Sequence, residues 1–306
     1  MAPKHTVHLV DASPYVFRAY FSIPVSVTGP GGRPTNAVHG FATFLLRYVA
    51  DEQPTHLGIA FDGSLTTSFR NEIYPAYKAQ RELPPPELEE QLEACREVAR
   101  ALGAATYVDE RYEADDLIGT LAAQLARRGH RVVVVSSDKD LAQLVSPALT
   151  LFDYAKGERY GARAVRAKFG VDPGQIVDYL ALAGDSVDNI PGVAGVGCKT
   201  AVALLAAFGT LEGVYADLER VAELPLRGAT GIARRLAEER ESAFLSRELA
   251  TIAQDAPVRA RLSELRYRGA DPALVDPLFG ALRLWRIRDR ISSWNEARGA
   301  SARPGR

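Results

Sequence analysis

The stretch RYEADDLIGTLAAQLARRGHRVVVVSSDKD, residues 111–140, decides how this chain folds. Residues 111–129 read as an amphipathic helix, with apolar side chains recurring at helical spacing. RVVVVSS at 131–137 follows as a run of valines, the pattern of a strand buried on both faces. A buried strand directly after a helix is half of a βαβ unit, so a parallel sheet is expected. The acids in the same stretch raise a second question. Glu113, Asp115 and Asp116 crowd the helix start, and Asp138 and Asp140 close the strand. Acids suit a helix N-terminus, where they meet unpaired N–H groups and the positive end of the dipole. Whether capping is their whole role depends on the other acids in the chain.

Upstream, HTVHLVD (5–11) reads as a short buried strand ending on Asp11. A helix with Tyr15, Phe17 and Tyr20, a VTGPGGRP loop and a helix over 35–50 follow. HLGIAFD (56–62) is a second strand, ending on Asp62. The segment SFRNEIYPAYKAQRELPPP then breaks the alternation, and Pro84–Pro86 can start a helix running to residue 102. AATYV at 104–108 is a weaker strand. Strands alternating with helices predict a mostly parallel sheet flanked by helices on both faces. After residue 160 the strand signals fade, and helices are expected at 161–169, 172–183, 198–208, 231–252 and 272–290. The predicted organisation is a sheet domain over 1–160, a helical subdomain over 161–290, and a basic tail over 291–306, disordered in part.

Asp11, Asp62 and Asp138 share one position, the carboxyl end of a predicted parallel strand, where open α/β sheets bind ligands. Any one of them alone reads as a cap for the next helix. GDSVDN adds Asp185 and Asp188. If folding gathers these with Glu113, Asp115, Asp116 and Asp140, their repulsion decides the reading. Two carboxylates about 5 Å apart repel by roughly 1 kcal/mol in water and by several at an effective dielectric constant near 20. No run of Lys or Arg is interleaved with them in the sequence, so divalent cations are the expected remedy. None of the five histidines (His5, His8, His39, His56, His130) adjoins these acids, which disfavours zinc and favours Mg²⁺, with Mn²⁺ as a substitute. Two such ions about 3.5–4 Å apart suit the hydrolysis of a phosphodiester.

GDSVDNIPGVAGVGCKTAVALLAAFG, residues 184–209, puts Gly192, Gly195 and Gly197 in a tight turn before a helix that opens with Lys199 and Thr200. Such a turn can hold a phosphate without reading bases. A dinucleotide loop competes, but it needs an apolar strand before the glycines, and here a polar segment precedes them. Helix–turn–helix packing alone is the plainer alternative. SFRNEIYPAYKAQR, residues 68–81, interleaves Arg70, Lys78 and Arg81 with Tyr74 and Tyr77, a pattern that suits a single strand of nucleic acid. A solvated loop with buried tyrosines is the alternative there.

Composition agrees without deciding: 47% hydrophobic, 25% charged, net charge −1. From residue 259 onward eleven Arg face five acids, a local charge of +6 against −7 for the rest. A cationic end beside an anionic body suits a protein holding metal ions and a polyanion in different places, although a solvated Arg-rich tail would look the same. Two cysteines make no disulfide framework: Cys95 falls on an apolar helix face and Cys198 follows the glycine turn. No run reaches the roughly 18 apolar residues of a membrane span, so a cytoplasmic, nucleoid-associated location is expected.

VDASPYVFRAYF, AFDGSLTTSFRNEIYPAYKAQR, RYEADDLIGTLA, SSDKDLAQL and GDSVDNIPGVAGVGCKTA, in that order and spacing, closely resemble the bacterial and phage 5′→3′ exonuclease family. This family includes the flap-endonuclease-like 5′ nuclease domains at the N-terminus of DNA polymerase I. The resemblance covers residues 5–290 and looks like the standalone form. It implies a PIN-like α/β domain, a helical arch at 68–103, and a helix–three-turn–helix motif at 184–209. By position, Asp11, Asp62, Glu113, Asp115 and Asp116 match a first metal cluster, and Asp138, Asp140, Asp185 and Asp188 a second. Lys78 and Arg81 match cations that contact the scissile phosphate, and Tyr77 their aromatic neighbour; Arg70, Gly192, Gly195, Gly197, Lys199 and Thr200 join it as DNA contacts. The family also suggests K⁺ at the carbonyls of the 190–197 turn. Ala194 departs from it, standing where relatives often carry Lys, as does His39, where Tyr is common. The expected activity is metal-dependent cleavage of DNA at 5′ ends and flaps, giving 5′-phosphate and 3′-hydroxyl, by a monomer coupled to a polymerase or ligase. A PIN-type ribonuclease and a non-catalytic DNA-structure-binding protein are the rivals.

Overall fold

The computed structural model describes residues 4–295. Its centre is a six-stranded sheet in the order β3-β2-β1-β4-β5-β6. The strands are β1 (Thr6–Asp11), β2 (Leu57–Asp62), β3 (Ala105–Asp109), β4 (Arg131–Val135), β5 (Leu149–Asp153) and β6 (Glu158–Tyr160). The first five run parallel, and β6 returns antiparallel on β5. β1 lies between β2 and β4, so the chain builds the sheet outward in both directions from it. The carboxyl end of β1 is therefore a topological switch point.

Alternation along β1 sorts its side chains between two cores: Val7 and Leu9 into one, Val10 into the other. On the first face α5 (Ala114–Arg127) presses Leu117, Ile118, Leu121 and Leu125 against the valines of β4. On the second lie α1 (Ser13–Ser22), α2 (Asn36–Glu52) and α4 (Pro86–Ala101). The expected helix at 231–252 is two, α11 (Ala229–Glu238) and α12 (Arg240–Ala250), broken at Glu239. With α6 (Ala162–Phe169), α7 (Ile176–Ala183), α8 (Cys198–Phe208), α9 (Leu211–Ala216) and α10 (Leu218–Glu223) they form the helical part.

Three further expectations change. The segment expected as a helical arch over 68–103 divides: only α3 (Phe69–Ile73) and the turns to residue 81 lie over the acidic edge, while α4 belongs to the core through Leu88, Leu92, Cys95 and Val98. Residues 262–294 leave the helical part and return to the sheet. Tyr267 N donates to Thr55 O at 2.9 Å and Asp271 N to Ala101 O at 2.8 Å, while Val275 and Phe279 of α13 (Pro272–Ala281) enter the second core; the helix expected over 272–290 thus ends at Ala281, and a separate short helix, Trp285–Arg288, follows. Strands β5 and β6 were not expected. Residues 296–306, most of the predicted tail, lie outside the described residues. Among the described residues no helix is long and apolar enough to cross a membrane.

Candidate active site at the carboxyl edge of the sheet

The edge is built from strand ends. Asp11 closes β1, and Asp62 closes β2. Asp11 is buried, accepting from Ser136 Oγ at 2.8 Å and from Ser13 N at 3.1 Å. Asp62 accepts from Ser13 Oγ at 2.5 Å and from Ala114 N, at the start of α5, at 2.8 Å. Arg96 of α4 donates to the Asp62 carbonyl at 2.5 Å, fixing the strand end from the other face. Asp138 follows β4, with its amide on Ser136 Oγ at 3.0 Å and its carboxylate accepting from Asp140 N at 2.8 Å.

The carboxylates feel one another. Burial, then the charge of Asp62, pushes Asp11 up to about 8. Burial, then Asp138, Asp11, Asp62 and Glu113, holds Asp115 well above the usual carboxylate range. Burial raises Asp62, with Glu113 adding to it, and burial also raises Asp138, with Asp188 adding to it. Asp140 is pushed up to about 8 by burial and Asp138, with Asp185 and Asp188 contributing. Asp115 keeps partial contact with solvent, so the cluster has an open side. Among the described residues no three His, Cys, Asp or Glu side chains are drawn around one point as a closed metal cage.

Cations explain the open arrangement, and they correct the expectation that none neutralise these acids. Lys78 Nζ lies 2.8 and 2.9 Å from the two Glu113 oxygens and 3.6 Å from Asp188. Burial pulls the Lys78 ammonium down, but Glu113, Tyr77 and Asp188 outweigh it and hold it well above its ordinary value. Arg81 reaches Asp188 at 2.5 Å and Lys139 reaches Asp185 at 2.6 Å. These cations come from residues far apart in sequence or, for Lys139, from inside DKD itself.

Four predicted site residues have other work. Asp116 is fully buried, and both its oxygens accept from the Arg70 guanidinium at 2.8 Å, with Ala253 N and Glu113 N as further donors. It has no face left for a metal. Arg70 is only 3% exposed and also donates to the carbonyls of Leu249 and Thr251, so it ties the segment to the helical part instead of contacting DNA. Tyr77 is 3% exposed, with its hydroxyl 3.3 Å from Glu113 and 3.2 Å from Asp188; its buried ring cannot stack on a base. Gly192 is buried, its N–H on Ser246 Oγ at 2.8 Å and its carbonyl accepting from Ser242. Glycine is required there, because φ is 65° and a Cβ would stand 2.4 Å from Gly184 N.

The outer part of that turn is open. Gly195, Gly197 and Lys199 are exposed and Thr200 half-exposed, at or beside the start of α8. Sequence reasoning missed Ser13, Ser136 and Lys139: DAS and SSDK set them within two residues of Asp11 and Asp138, but their side chains reach the distant acids Asp62, Asp11 and Asp185. It also missed Arg235 of α11. Its guanidinium lies 3.0 Å from where a Gly195 Cβ would stand, and its Nε is buried without a partner. Glu239, one helical turn on, is taken by Ala194 N at 2.7 Å.

A parallel sheet that gathers carboxylates at its switch point, beside cations and a separate glycine turn, defines an α/β protein with an acidic ligand-binding edge. The chain belongs to the 5′-3′ exonuclease family: residues 6–170 match its N-terminal resolvase-like domain and residues 171–273 its C-terminal SAM fold. It is 43% identical over 294 residues to DNA polymerase I of Bacillus caldotenax, covering 95% of this chain and 33% of the relative. To DNA polymerase I of Pseudomonas aeruginosa it is 45% identical over 258 residues, covering 84% and 28%. It thus spans about a third of the length of these relatives. Among solved structures, a T5 5′-exonuclease with bound zinc matches with a TM-score of 0.65 at 21% identity, covering 93% of this chain and 98% of that one, a likeness of fold.

Proposed function

We propose that the chain is a divalent-metal-dependent, structure-specific 5′ nuclease that hydrolyses DNA at 5′ ends and 5′ flaps, leaving 5′-phosphate and 3′-hydroxyl, in replication or repair. One observation carries the reading: Asp11 and Asp62 at strand ends meet Asp115 and Asp138 at a single sheet edge with an open side, where burial and then neighbouring carboxylates raise the pKa of each. Carboxylates in that state are completed by cations. Asp11, Asp62, Glu113 and Asp115 would hold one ion, and Asp138, Asp140, Asp185 and Asp188 a second, directly or through water. The all-oxygen donor set fits Mg²⁺, or Mn²⁺ in its place, better than zinc. When bound, the ions supply charge neutralisation and Lewis acidity at the phosphate.

The chain's own residues position the strand and balance its charge. Lys78 and Arg81, held in the free protein by Glu113 and Asp188, are the cations available to a phosphate oxygen arriving at this edge. In a water-poor site such a contact to developing charge is worth a few kcal/mol. Gly195, Gly197, Lys199 and Thr200, with Arg235 beside them, would grip the duplex backbone without reading bases. A K⁺ at this turn would use second lone pairs, since the Ile190, Gly192 and Val193 carbonyls each already accept one hydrogen bond. The same reading makes the protein a monomer acting at the cytoplasmic nucleoid, passing cut ends to a polymerase or ligase.

The test is cleavage of a labelled 5′-flap duplex. Incision requiring Mg²⁺, abolished by EDTA and slower on a matched RNA flap, is expected. Asp138→Ala should lose cleavage while binding the duplex in EDTA as the unchanged protein does. Undiminished turnover by that variant overturns the metal assignment, and equal cutting of RNA changes the substrate class.

A further inference from the structure

Between α1, α2 and the turn joining β5 to β6 lies a cleft of about 490 Å³ that neither the carboxylate edge nor the glycine turn uses. Its volume is that of a small-molecule site. Arg18, His39, Arg47 and Arg290 line it, and no acid does, in a chain whose net charge is −1. The side chains of Arg18 and Arg290 are exposed and make no hydrogen bond or ion pair among the described residues. Arg47 reaches only Asp51, at 3.5 Å with both groups in solvent, a pair of little energetic weight. This rim has capacity for an anion.

The walls have a different character. Tyr15 and Phe44 stack in parallel with ring centroids 3.7 Å apart, and Tyr154 meets Phe44 edge-on at 5.8 Å. Thr43, in the lining, carries a buried hydroxyl without a hydrogen-bond partner. An aromatic wall and a rim of free guanidinium groups are together complementary to a base carrying a phosphate.

We propose that this cleft binds a 5′-phosphorylated nucleotide unit, its base against the Phe44 and Tyr154 rings and its phosphate on Arg18 and Arg290. The ligand is either a released mononucleotide or the 5′-terminal residue of a strand. The identity of the ligand rests on the proposed activity, which leaves 5′-phosphates; the cleft's chemistry does not.

The test is a titration of the full chain in EDTA, so that binding is read without cleavage. Deoxyadenosine monophosphate is followed by isothermal calorimetry and by NMR shifts of residues around Tyr154. Deoxyadenosine and inorganic phosphate should each bind about tenfold or more weakly, because each offers half of the contact. The double variant Arg18→Ala, Arg290→Ala should weaken the mononucleotide about tenfold or more while keeping flap cleavage. Ala155→Trp, which fills the cleft from an exposed position and spares both arginines, should do the same. A trinucleotide competing only when 5′-phosphorylated identifies a strand end as the source; failure of both trinucleotide forms to compete identifies the released product. Equal binding of inorganic phosphate and mononucleotide, shifts centred on Lys78, or unchanged affinity in both variants overturns the proposal. A protein that binds the mononucleotide here but does not cut DNA would refute the nuclease reading and leave the site standing.

Discussion

Arg70 and Lys78 lie in one segment and look alike as sequence, yet they do opposite things. Arg70 is sealed in a bidentate pair with Asp116 and closed off by two carbonyls of the helical part. Lys78 stands at the open edge on Glu113, with a left-handed backbone at φ 55° and its N–H on the Asp188 carbonyl. Removing one partner of a buried ion pair costs about 3–5 kcal/mol, because the other charge stays buried alone. Arg70→Ala should therefore lower the urea midpoint strongly, with cleavage failing only as the protein unfolds. Lys78→Ala should cost less than Arg70→Ala, because its pair with Glu113 keeps about a fifth of its surface in solvent and stands at the open edge. Its single-turnover cleavage should fall about a hundredfold or more, as for loss of a donor to developing charge. Equal stability losses in the two variants would erase this division of labour. Basic residues interleaved with tyrosines read the same whether buried or solvated. What separates them here is Asp116, 46 residues away from Arg70, and no local pattern reports that pairing.

At the scale of elements, period was legible and pairing was not. The valines of β4 and the apolar face of α5 announce themselves by burial pattern, and the acids at strand ends follow once the strands are parallel. β5 (LTLFD) and the three-residue β6 form one short hairpin at the sheet's edge, too brief to stand out by alternation. The return of residues 262–294 to α4 depends on contacts between distant segments and has no local signature. The same alternation that sorts the β1 side chains also seals His8 inside, its Nδ1 2.5 Å from Tyr48 Oη of α2. Burial lowers its pKa from 6.5 to about 4, with Glu52 opposing and Arg159 assisting. The sign follows: folded His8 resists a proton that the unfolded chain accepts at 6.5. Its stability contribution is thus complete above pH 6.5 and lost as pH falls toward 4, on the order of 3 kcal/mol. Asp11, raised by burial from 3.8 to about 8, works in the opposite sense throughout that range, so the informative quantity is a difference. His8→Gln should flatten the acid loss of the urea midpoint between pH 6.5 and 4 relative to the unchanged protein. Parallel curves would mean that His8 takes its proton without unfolding cost.

At the scale of the whole molecule, charge is divided by place. The carboxylate edge repels a phosphate backbone until cations occupy it, so affinity for duplex must come from elsewhere on the surface. Lys199 at the start of α8 and Arg235 across the turn from it are the local cations, and Arg235 stands beside Ala194, where a turn lysine is absent. Each phosphate a cation neutralises releases counterions and adds about 0.9 to the slope of log affinity against log salt. Lys199→Ala and Arg235→Ala should each weaken duplex binding in EDTA and reduce that slope by about 1, with the two losses adding in the double variant. Single-turnover cleavage at saturating protein should stay near the unchanged rate, because neither side chain reaches the acidic edge. Ala194→Lys in the Arg235→Ala background should restore the slope, since it returns a cation to the same turn. An Arg235→Ala protein with an unchanged slope would show that its guanidinium only packs on Gly195. The duplex would then be held by α8 alone, and the grip would be weaker than the charge layout requires.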